Sequence, residues 1–165
     1  MWYVLQVKTG KELDVRDKLT SKGYQAAVPV ENRLIRRAGS WTQKEYVLMP
    51  SYAFVQLTYD AYAYYRVKEV PGTVRFLGPT QMDPTPLTYI EAEWIRILSN
   101  NGKVLEPSTV QVDSEGDLTP VSGILAALRG RVKKYDRHAR RAQAEIYVCG
   151  EPKNIELSFN LLNDV

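Results

Sequence analysis

The sequence has only one cysteine, Cys149, and one histidine, His138, among its 165 residues. A lone cysteine cannot form an intramolecular disulfide, and these two side chains cannot supply the four ligands of a structural zinc site. Low cysteine usage is typical of proteins in the reducing cytosol. The sequence therefore predicts neither a metal site nor another cofactor.

Long apolar runs are also missing. No stretch of 18 apolar residues is present, and residues 1–8 lack the basic start and the small-residue cleavage site of a signal peptide. We therefore expect a monomeric cytoplasmic protein with no membrane partner.

The groups needed for catalysis are scarce as well. His138 has no evident carboxylate to orient it, Cys149 has no second histidine, and no glycine-rich phosphate loop of the P-loop type occurs. We therefore expect a protein that is not an enzyme.

Charge is present but unevenly distributed. The chain is 44% apolar and 25% charged with a net charge of +3, which is typical of a globular protein. Residues 1–105 carry a net charge of +4 and residues 106–165 a net charge of −1. Within the latter, Arg129 to Arg141, called the basic segment below, holds seven basic residues and one acid, Asp136. The remainder of 106–165 is −7, so the basic segment is a localised feature.

The first hundred residues predict alternating strands and helices. Trp2 to Val7 is rich in β-branched and aromatic residues, which favours a strand, and Thr9 and Glu12 have the spacing of a capping box that begins a helix. A long hairpin follows from Tyr24, and residues 46–57 are extended again with a break at Pro50. A second helix over 60–70, a short strand and a last helix complete a βαβββαβα outline.

The strand after Pro50 predicts two different faces. Ala53, Val55 and Leu57 alternate with Tyr52, Phe54 and Gln56, so the period of two places the two sets on opposite sides. The last helix begins at a second capping box, formed by Thr88 and Glu91.

The last sixty residues predict a linker and a small barrel. Residues 103–115 lack a long apolar run and indicate a linker, while Ala142 to Val148 and Ile155 to Phe159 alternate as strands. A helical hairpin over 123–146 is the competing interpretation, because Leu125, Leu128, Val132 and Tyr135 also fit helical spacing. Gly130 in the middle argues against that helix.

Three motifs in this order resemble the NusG family of transcription elongation factors. The first is Trp2 to Glu12, the second is Met49 to Leu57 followed by Val70 to Gly78, and the third runs from Gly123 to Gly150. The resemblance implies an α+β protein with an N-terminal NGN α/β sandwich, in which helices flank an antiparallel sheet, at 1–102. A linker at 103–115 and an SH3-like β-barrel with a KOW motif at 116–165 would follow.

Two departures from the family stand out. Ser51 lies where many members have glycine, and Pro120 falls where the first barrel strand is expected. Acidic residues beside the basic segment make the chain more similar to specialised paralogs of the LoaP and RfaH type, which act on particular operons.

The resemblance implies contacts with bacterial RNA polymerase. The surface for its clamp helices would hold Met49, Pro50, Tyr52 and Phe54, bordered by Trp94 and Ile95, and the surface for its gate loop would hold Tyr62, Tyr65 and Arg66. An exposed aromatic strand suits a helical partner. The competing interpretation places Tyr52 and Phe54 in a second core layer under the last helix. It places Trp94 and Ile95 in the core and the tyrosines of the second helix simply at the surface.

The basic segment predicts binding to nucleic acid, most plausibly nascent RNA with a structured leader. A hairpin with a turn at 136–139 would gather Arg129, Arg131, Lys133, Lys134, Arg137, His138, Arg140 and Arg141 at one end of the barrel. The competing interpretation is a solvated charged hairpin. In many relatives the barrel instead binds ribosomal protein S10 or Rho through an apolar face.

The first helix predicts a second, weaker basic surface. Lys8, Lys11 and Arg16 belong to the region with which some relatives read non-template DNA, although an ordinary charged helix face explains them equally well. Our leading hypothesis is an operon-specific processive antitermination factor. The alternative is a KOW-containing RNA-binding protein that acts in translation without polymerase.

Overall fold

The computed structural model describes residues 1–80 and 82–162, which form two packed units. The first unit contains, in chain order, β1 (Trp2–Val7), α1 (Glu12–Ser21), β2 (Gln25–Ala27), β3 (Val30–Arg37), β4 (Ser40–Val47), β5 (Tyr52–Gln56), α2 (Ala61–Lys68), β6 (Thr73–Phe76) and α3 (Tyr89–Ser99). A 3₁₀ turn, Asn100–Gly102, ends this unit. The predicted outline is confirmed except that the strand expected after Tyr24 is divided into β2 and β3, because Pro29 between them lacks an N–H to donate.

An antiparallel sheet of order β2-β5-β1-β6 forms the centre of the first unit. β1 and β5 are paired so that Leu5 lies opposite Ala53 and Val4 opposite Phe54. Leu5 and Ala53 pack in one apolar cluster with residues of α1 and α2, whereas Val4 and Phe54 belong to a second cluster on the other side. The predicted division of β5 into two faces is therefore confirmed.

The two predicted capping boxes have different outcomes. Thr88 and Glu91 form one at the start of α3, where each side chain accepts from the other residue's backbone N–H. At α1 the prediction is wrong, since the N-cap is Lys11 and has no side-chain cap. Glu12 instead accepts from the backbone N–H groups of Gly10, at 2.8 Å, and Ser51, at 2.9 Å, and so ties the start of α1 to the turn before β5.

The second unit is a curled five-stranded sheet of order β8-β7-β11-β10-β9. Its elements are β7 (Ser108–Val112), β8 (Leu118–Ser122), α4 (Ile124–Ala127), a 3₁₀ turn (Arg129–Arg131), β9 (Val132–Asp136), β10 (Arg141–Val148) and β11 (Glu151–Leu161). Alternate residues of β10 are buried, as predicted. This unit is called the barrel below. Within residues 123–146 only the short α4 and the 3₁₀ turn are helical, and β9 and β10 replace the helical hairpin of the competing interpretation.

The structure corrects the predicted linker. Residues 108–112, inside the segment 103–115, form β7, which pairs in parallel with β11 and antiparallel with β8. Ser108 and Val110 are buried and alternate with the polar residues Thr109 and Gln111, so this short half-buried strand has no long apolar run that would indicate it. Pro120 lies on β8, at the edge of the sheet, where a residue without an N–H is tolerated.

The two units share one apolar core. Val4, Phe54, Ile95 and Leu98 from the first unit belong to the same buried cluster as Val110, Leu125, Ile146 and Leu157 from the barrel. The fold is thus the predicted α+β class, with a helix-flanked antiparallel sheet packed against a small barrel.

Candidate interaction surfaces

The residues predicted to bind the polymerase clamp lie where the first unit meets the barrel. Met49, Phe54 and Ile95 are buried, with 6%, 0% and 2% of their surface exposed, and Tyr52 and Trp94 are half-buried. Pro50 is exposed in the turn before β5. The expectation of an exposed aromatic strand is therefore wrong for Phe54, which packs in a core layer with Ile95 and Leu98 of α3 as the competing interpretation stated.

Two cations of the barrel lie on the half-buried aromatic rings. The Lys153 ammonium is 5.3 Å from the centre of the Tyr52 ring and donates to its hydroxyl group at 3.4 Å. The Arg131 guanidinium is 5.6 Å from the centre of the Trp94 ring. These cation–π contacts cover the predicted docking residues with charged, replaceable groups.

A carboxylate of α3 joins the helix to the β10–β11 turn. One oxygen of Glu91 caps α3, and the other accepts from the backbone N–H of Gly150 at 2.8 Å. Cys149 Sγ in the same turn is 3.7 Å from the carbonyl oxygen of Thr85. Burial raises the pKa of the Cys149 thiol, nearby Glu91 adds to that rise, and Lys153 opposes it. The thiol therefore lies at the boundary between the units and is disfavoured as a thiolate while they are packed.

A buried polar network joins β3 to β11. Glu31, only 2% exposed, accepts from Arg33 Nε at 2.8 Å and from the backbone N–H of Ser158 at 3.1 Å. Ser158 Oγ accepts from the backbone N–H of Leu34 at 3.0 Å and from Arg141 Nη1 at 2.8 Å. Burial raises the pKa of Glu31, against the effect of its hydrogen bonds and of the Arg33 and Arg141 charges.

The residues predicted to contact the gate loop lie apart from those predicted to contact the clamp helices. Ala63 and Val67 anchor α2 in the cluster on the other side of the sheet from α3. Tyr62 and Tyr65 are 67% and 64% exposed, and Arg66 donates to the Tyr62 hydroxyl group at 2.7 Å. The structure thus has two separate candidate surfaces, one open on α2 and one covered by the barrel.

The basic segment forms the predicted hairpin, but its charges are divided among several partners. Arg129 Nη2 donates to the Pro120 carbonyl oxygen at 2.9 Å, and Lys133 pairs with Glu145 at 2.5 Å. Arg131 contacts Trp94 of the first unit, and Arg141 donates to Ser158 Oγ within the barrel. Tyr135 packs edge-on against buried Phe159 and is not a surface platform. The members that are exposed around the turn are Lys134, Arg137 and His138.

The first helix presents an ordinary charged face. Lys11 lies 3.9 Å from Asp14, Arg16 lies 3.0 Å from Asp17, and Lys8 is exposed in the loop before α1. α1 packs on the side of the sheet away from the barrel, so these residues and the basic segment form separate surfaces.

Sequence reasoning missed three residues that the structure brings to the boundary. Trp41 on β4 lies beside Arg140 of the barrel, Lys153 covers Tyr52, and Glu31 holds the network with Ser158. Only Trp41, an aromatic residue beside an arginine-rich turn, carried a local signal. Ser158 is more than a hundred positions from Glu31 along the chain, and so is Tyr52 from Lys153.

Within residues 1–80 and 82–162, no helix is both long enough and apolar enough to cross a membrane. The same described residues contain no group of three or more histidine, cysteine, aspartate or glutamate side chains that could hold a metal ion.

Comparisons with known proteins agree with this architecture. Residues 1–96 match the family described as transcription termination factor nusG. The chain is 26% identical to a transcription termination/antitermination protein NusG of Pseudomonas aeruginosa over 99% of this chain and 98% of that protein. It is 28% identical to the protein of the same name from Vibrio cholerae over 96% and 92% of the two chains.

A solved structure shares the fold. The structure described as domain interaction in Thermotoga maritima NusG superposes with a TM-score of 0.57 at 20% identity, over 95% of this chain and 92% of that one. The family match covers more than half of the sequence, and the relatives align from end to end. The chain therefore belongs to the NusG family of transcription termination and antitermination factors.

Proposed function

We propose that this protein is an operon-specific processive antitermination factor that binds RNA polymerase through its first domain and nascent RNA through its barrel. The clamp helices of polymerase bind at Tyr52, Trp94 and the apolar residues between them, and the gate loop contacts Tyr62, Tyr65 and Arg66 on α2. The barrel must move away from the first of these surfaces before polymerase binds.

The packing of the barrel on the proposed docking surface is the observation that carries the proposal. Aromatic residues of β5 and α3 that a helical partner would use are in contact with Lys153 and Arg131 of the barrel. A cation–π contact contributes about 0.5–1 kcal/mol at a partly exposed site. The barrel also shares an apolar cluster with this surface, so a partner helix must replace that packing with its own apolar side chains as well as these cation–π contacts.

RNA binding is supported by the residues that the packed arrangement leaves accessible. Lys134, Arg137 and His138 are exposed on the β9–β10 hairpin while the barrel covers the docking surface. A lysine and an arginine beside an imidazole ring suit phosphate contacts and stacking on unpaired bases. The protein can therefore meet RNA before it meets polymerase.

Pull-down of bacterial core RNA polymerase by the tagged full chain tests the docking surface. Tyr52→Ala combined with Trp94→Ala should reduce the polymerase retained by roughly tenfold or more, because both side chains are central aromatic anchors. Tyr89→Ala, on the same helix but 86% exposed, is the matched control and should retain polymerase normally. Polymerase binding unchanged by the double substitution would show that docking occurs elsewhere.

Separating the two domains tests whether the barrel blocks the proposed polymerase-binding surface. Lys153→Glu places an anion beside the Tyr52 hydroxyl group and removes the positive charge that opposes Glu91 near Cys149. The domains should therefore separate, and the variant should retain more polymerase than the wild type. Lys103→Glu makes the same charge change at an exposed residue outside this boundary and should have no effect. If neither chain binds polymerase, the alternative of an RNA-binding protein of translation is favoured. Sequencing the transcripts that co-purify with the polymerase complex tests operon specificity.

A further inference from the structure

The tip of the β3–β4 hairpin lies against the β9–β10 turn of the barrel. The guanidinium carbon of Arg140 is 5.5 Å from the centre of the Trp41 ring, and that of Arg36 is 5.8 Å from the same ring. Arg36 and Trp41 face each other in the register of the hairpin. One indole ring thus contacts one arginine from each domain.

The two segments that meet at this ring carry charge of one sign. Residues 33–44 of the hairpin include four basic and no acidic side chains, and residues 137–141 of the barrel include three basic and no acidic side chains. The exposed members that form no ion pair with any residue in the described ranges are Arg36, Arg37, Lys44 and Arg137. Like charges held together across a domain boundary repel, so an anion that bridges them would stabilise the packed arrangement.

We infer that the hairpin tip and the barrel turn form one composite surface for single-stranded RNA, complete only while the two domains are packed. The inference rests on the RNA binding proposed above, to which it adds residues of the first domain. Arginine forks bind phosphates, and an indole beside guanidinium planes offers a stacking surface for an unpaired base. An acidic peptide would use the charges but not the ring, so the aromatic residue favours nucleic acid.

A ligand that contacts both domains changes the balance between the packed and the open arrangement. Because such RNA would bind the packed form better than the open form, it would hold the barrel over the docking surface by mass action. RNA captured at this site would therefore act as a restraint on polymerase binding until it is displaced.

Binding of a fluorescent single-stranded RNA oligonucleotide of mixed sequence to the full chain at fixed moderate salt tests the composite surface. Arg36→Glu combined with Arg37→Glu, and separately Trp41→Ala, should each weaken binding by roughly tenfold or more. Lys18→Glu combined with Lys103→Glu changes the net charge equally at exposed residues outside this surface and should change affinity by less than about threefold.

Substitutions in the barrel separate this inference from the RNA proposal itself. If Arg137→Glu combined with Arg140→Glu abolishes binding while the hairpin variants bind normally, the barrel alone binds RNA and the composite surface is overturned. If hairpin and barrel variants all bind as the wild type does, the proposed RNA function fails too. Tighter binding of DNA of the same sequence would overturn RNA as the ligand.

The single cysteine reports whether RNA holds the domains together. Cys149 lies in the β10–β11 turn against Thr85, whereas the proposed surface is at the other end of β10, about 23 Å away at about 3.3 Å per residue. RNA at the composite surface therefore should not shield the thiol directly. We expect saturating RNA to slow the reaction of Cys149 with a disulfide reagent severalfold, and an unchanged or faster reaction would overturn the inference.

Discussion

The backbone N–H of Ser158 in the barrel donates to the carboxylate of Glu31 in the first domain, with the two atoms 3.1 Å apart. The other oxygen of Glu31 accepts from Arg33, and Arg141 of the barrel lies close enough to interact electrostatically. A buried carboxylate between two arginines, one from each domain, makes the packing of the domains sensitive to the charge of Glu31.

The first prediction concerns pH. Burial raises the pKa of Glu31 above its ordinary value of 4.5, so the folded chain keeps this proton to a higher pH than the unfolded chain does. The contribution of Glu31 to the free energy of unfolding therefore falls as pH rises from 4.5 through the folded pKa, and is constant above it. Glu31→Gln cannot titrate, so the stability difference, wild type minus variant, should fall across this range.

Urea denaturation of both proteins at a series of pH values on either side of 4.5 measures this difference. Glu151→Gln removes an exposed glutamate from the same strand as Ser158 and serves as the control. A difference between wild type and Glu31→Gln that did not vary with pH would contradict the prediction.

A second prediction distinguishes a buried core residue from an exposed surface residue. Phe54 is fully buried, so Phe54→Ala should lower the free energy of unfolding by about 3–5 kcal/mol. Tyr65→Ala removes an aromatic ring that is 64% exposed and should change it by less than about 0.5 kcal/mol. Denaturant titration monitored by circular dichroism measures both, and a Phe54 effect under about 1 kcal/mol would mean that the ring is not packed as the structure has it.

A third prediction uses the two roles of Glu91. Glu91→Ala leaves the N–H groups of both Thr88 and Gly150 without their acceptor, so it should weaken α3 by about 1 kcal/mol and also loosen the barrel. Thr88→Ala removes the capping hydroxyl group without touching the barrel. Both variants should be less stable, but only Glu91→Ala should speed the modification of Cys149. Equal thiol rates in the two variants would argue against the interdomain role.

A fourth prediction compares two glycines of the barrel with left-handed backbones. A Cβ on Gly123, at φ +85°, would lie 2.7 Å from Ser108 Oγ and 2.9 Å from Ser108 Cα, whereas a Cβ on Gly116, at φ +87°, meets nothing within 4 Å. Gly116→Ala should cost about 1 kcal/mol from backbone strain alone. Gly123→Ala adds the clash with buried Ser108 and should cost about 2–4 kcal/mol. Thermal unfolding of the two variants measures this difference in stability. Equal losses of stability would mean that Ser108 of β7 does not lie against Gly123.

Local patterns predicted the fold well where a single element decided the outcome. The alternation along β5 assigned Ala53 and Phe54 to opposite faces, because the pleat of a strand is a local property. The same pattern could not reveal what covers Phe54, since the covering residues come from α3 and from the barrel, which begin more than thirty and more than fifty positions later.

Capping illustrates how a distant residue can change a local outcome. Thr9 with Glu12 and Thr88 with Glu91 have the same spacing, yet only the second pair forms a capping box. Glu12 is drawn to the N–H of Ser51, 39 positions away, and no sequence window contains that competition. The competing donor, the N–H of Ser51, comes within reach of Glu12 only once β5 is folded beside α1.

The candidate surfaces divide in the same way. Sequence alone determined that the chain resembles a family with an NGN and a KOW domain. It also determined that residues 129–141 concentrate positive charge and that residues 52–56 form a strand with two different faces. Each of these features depends on residues that are close together in the chain. Only the tertiary structure decided that Lys153 and Arg131 cover Tyr52 and Trp94, and that Trp41 lies beside Arg140. Packing of two domains depends on the shape and charge of whole surfaces, and no periodicity along the chain records which surfaces will meet.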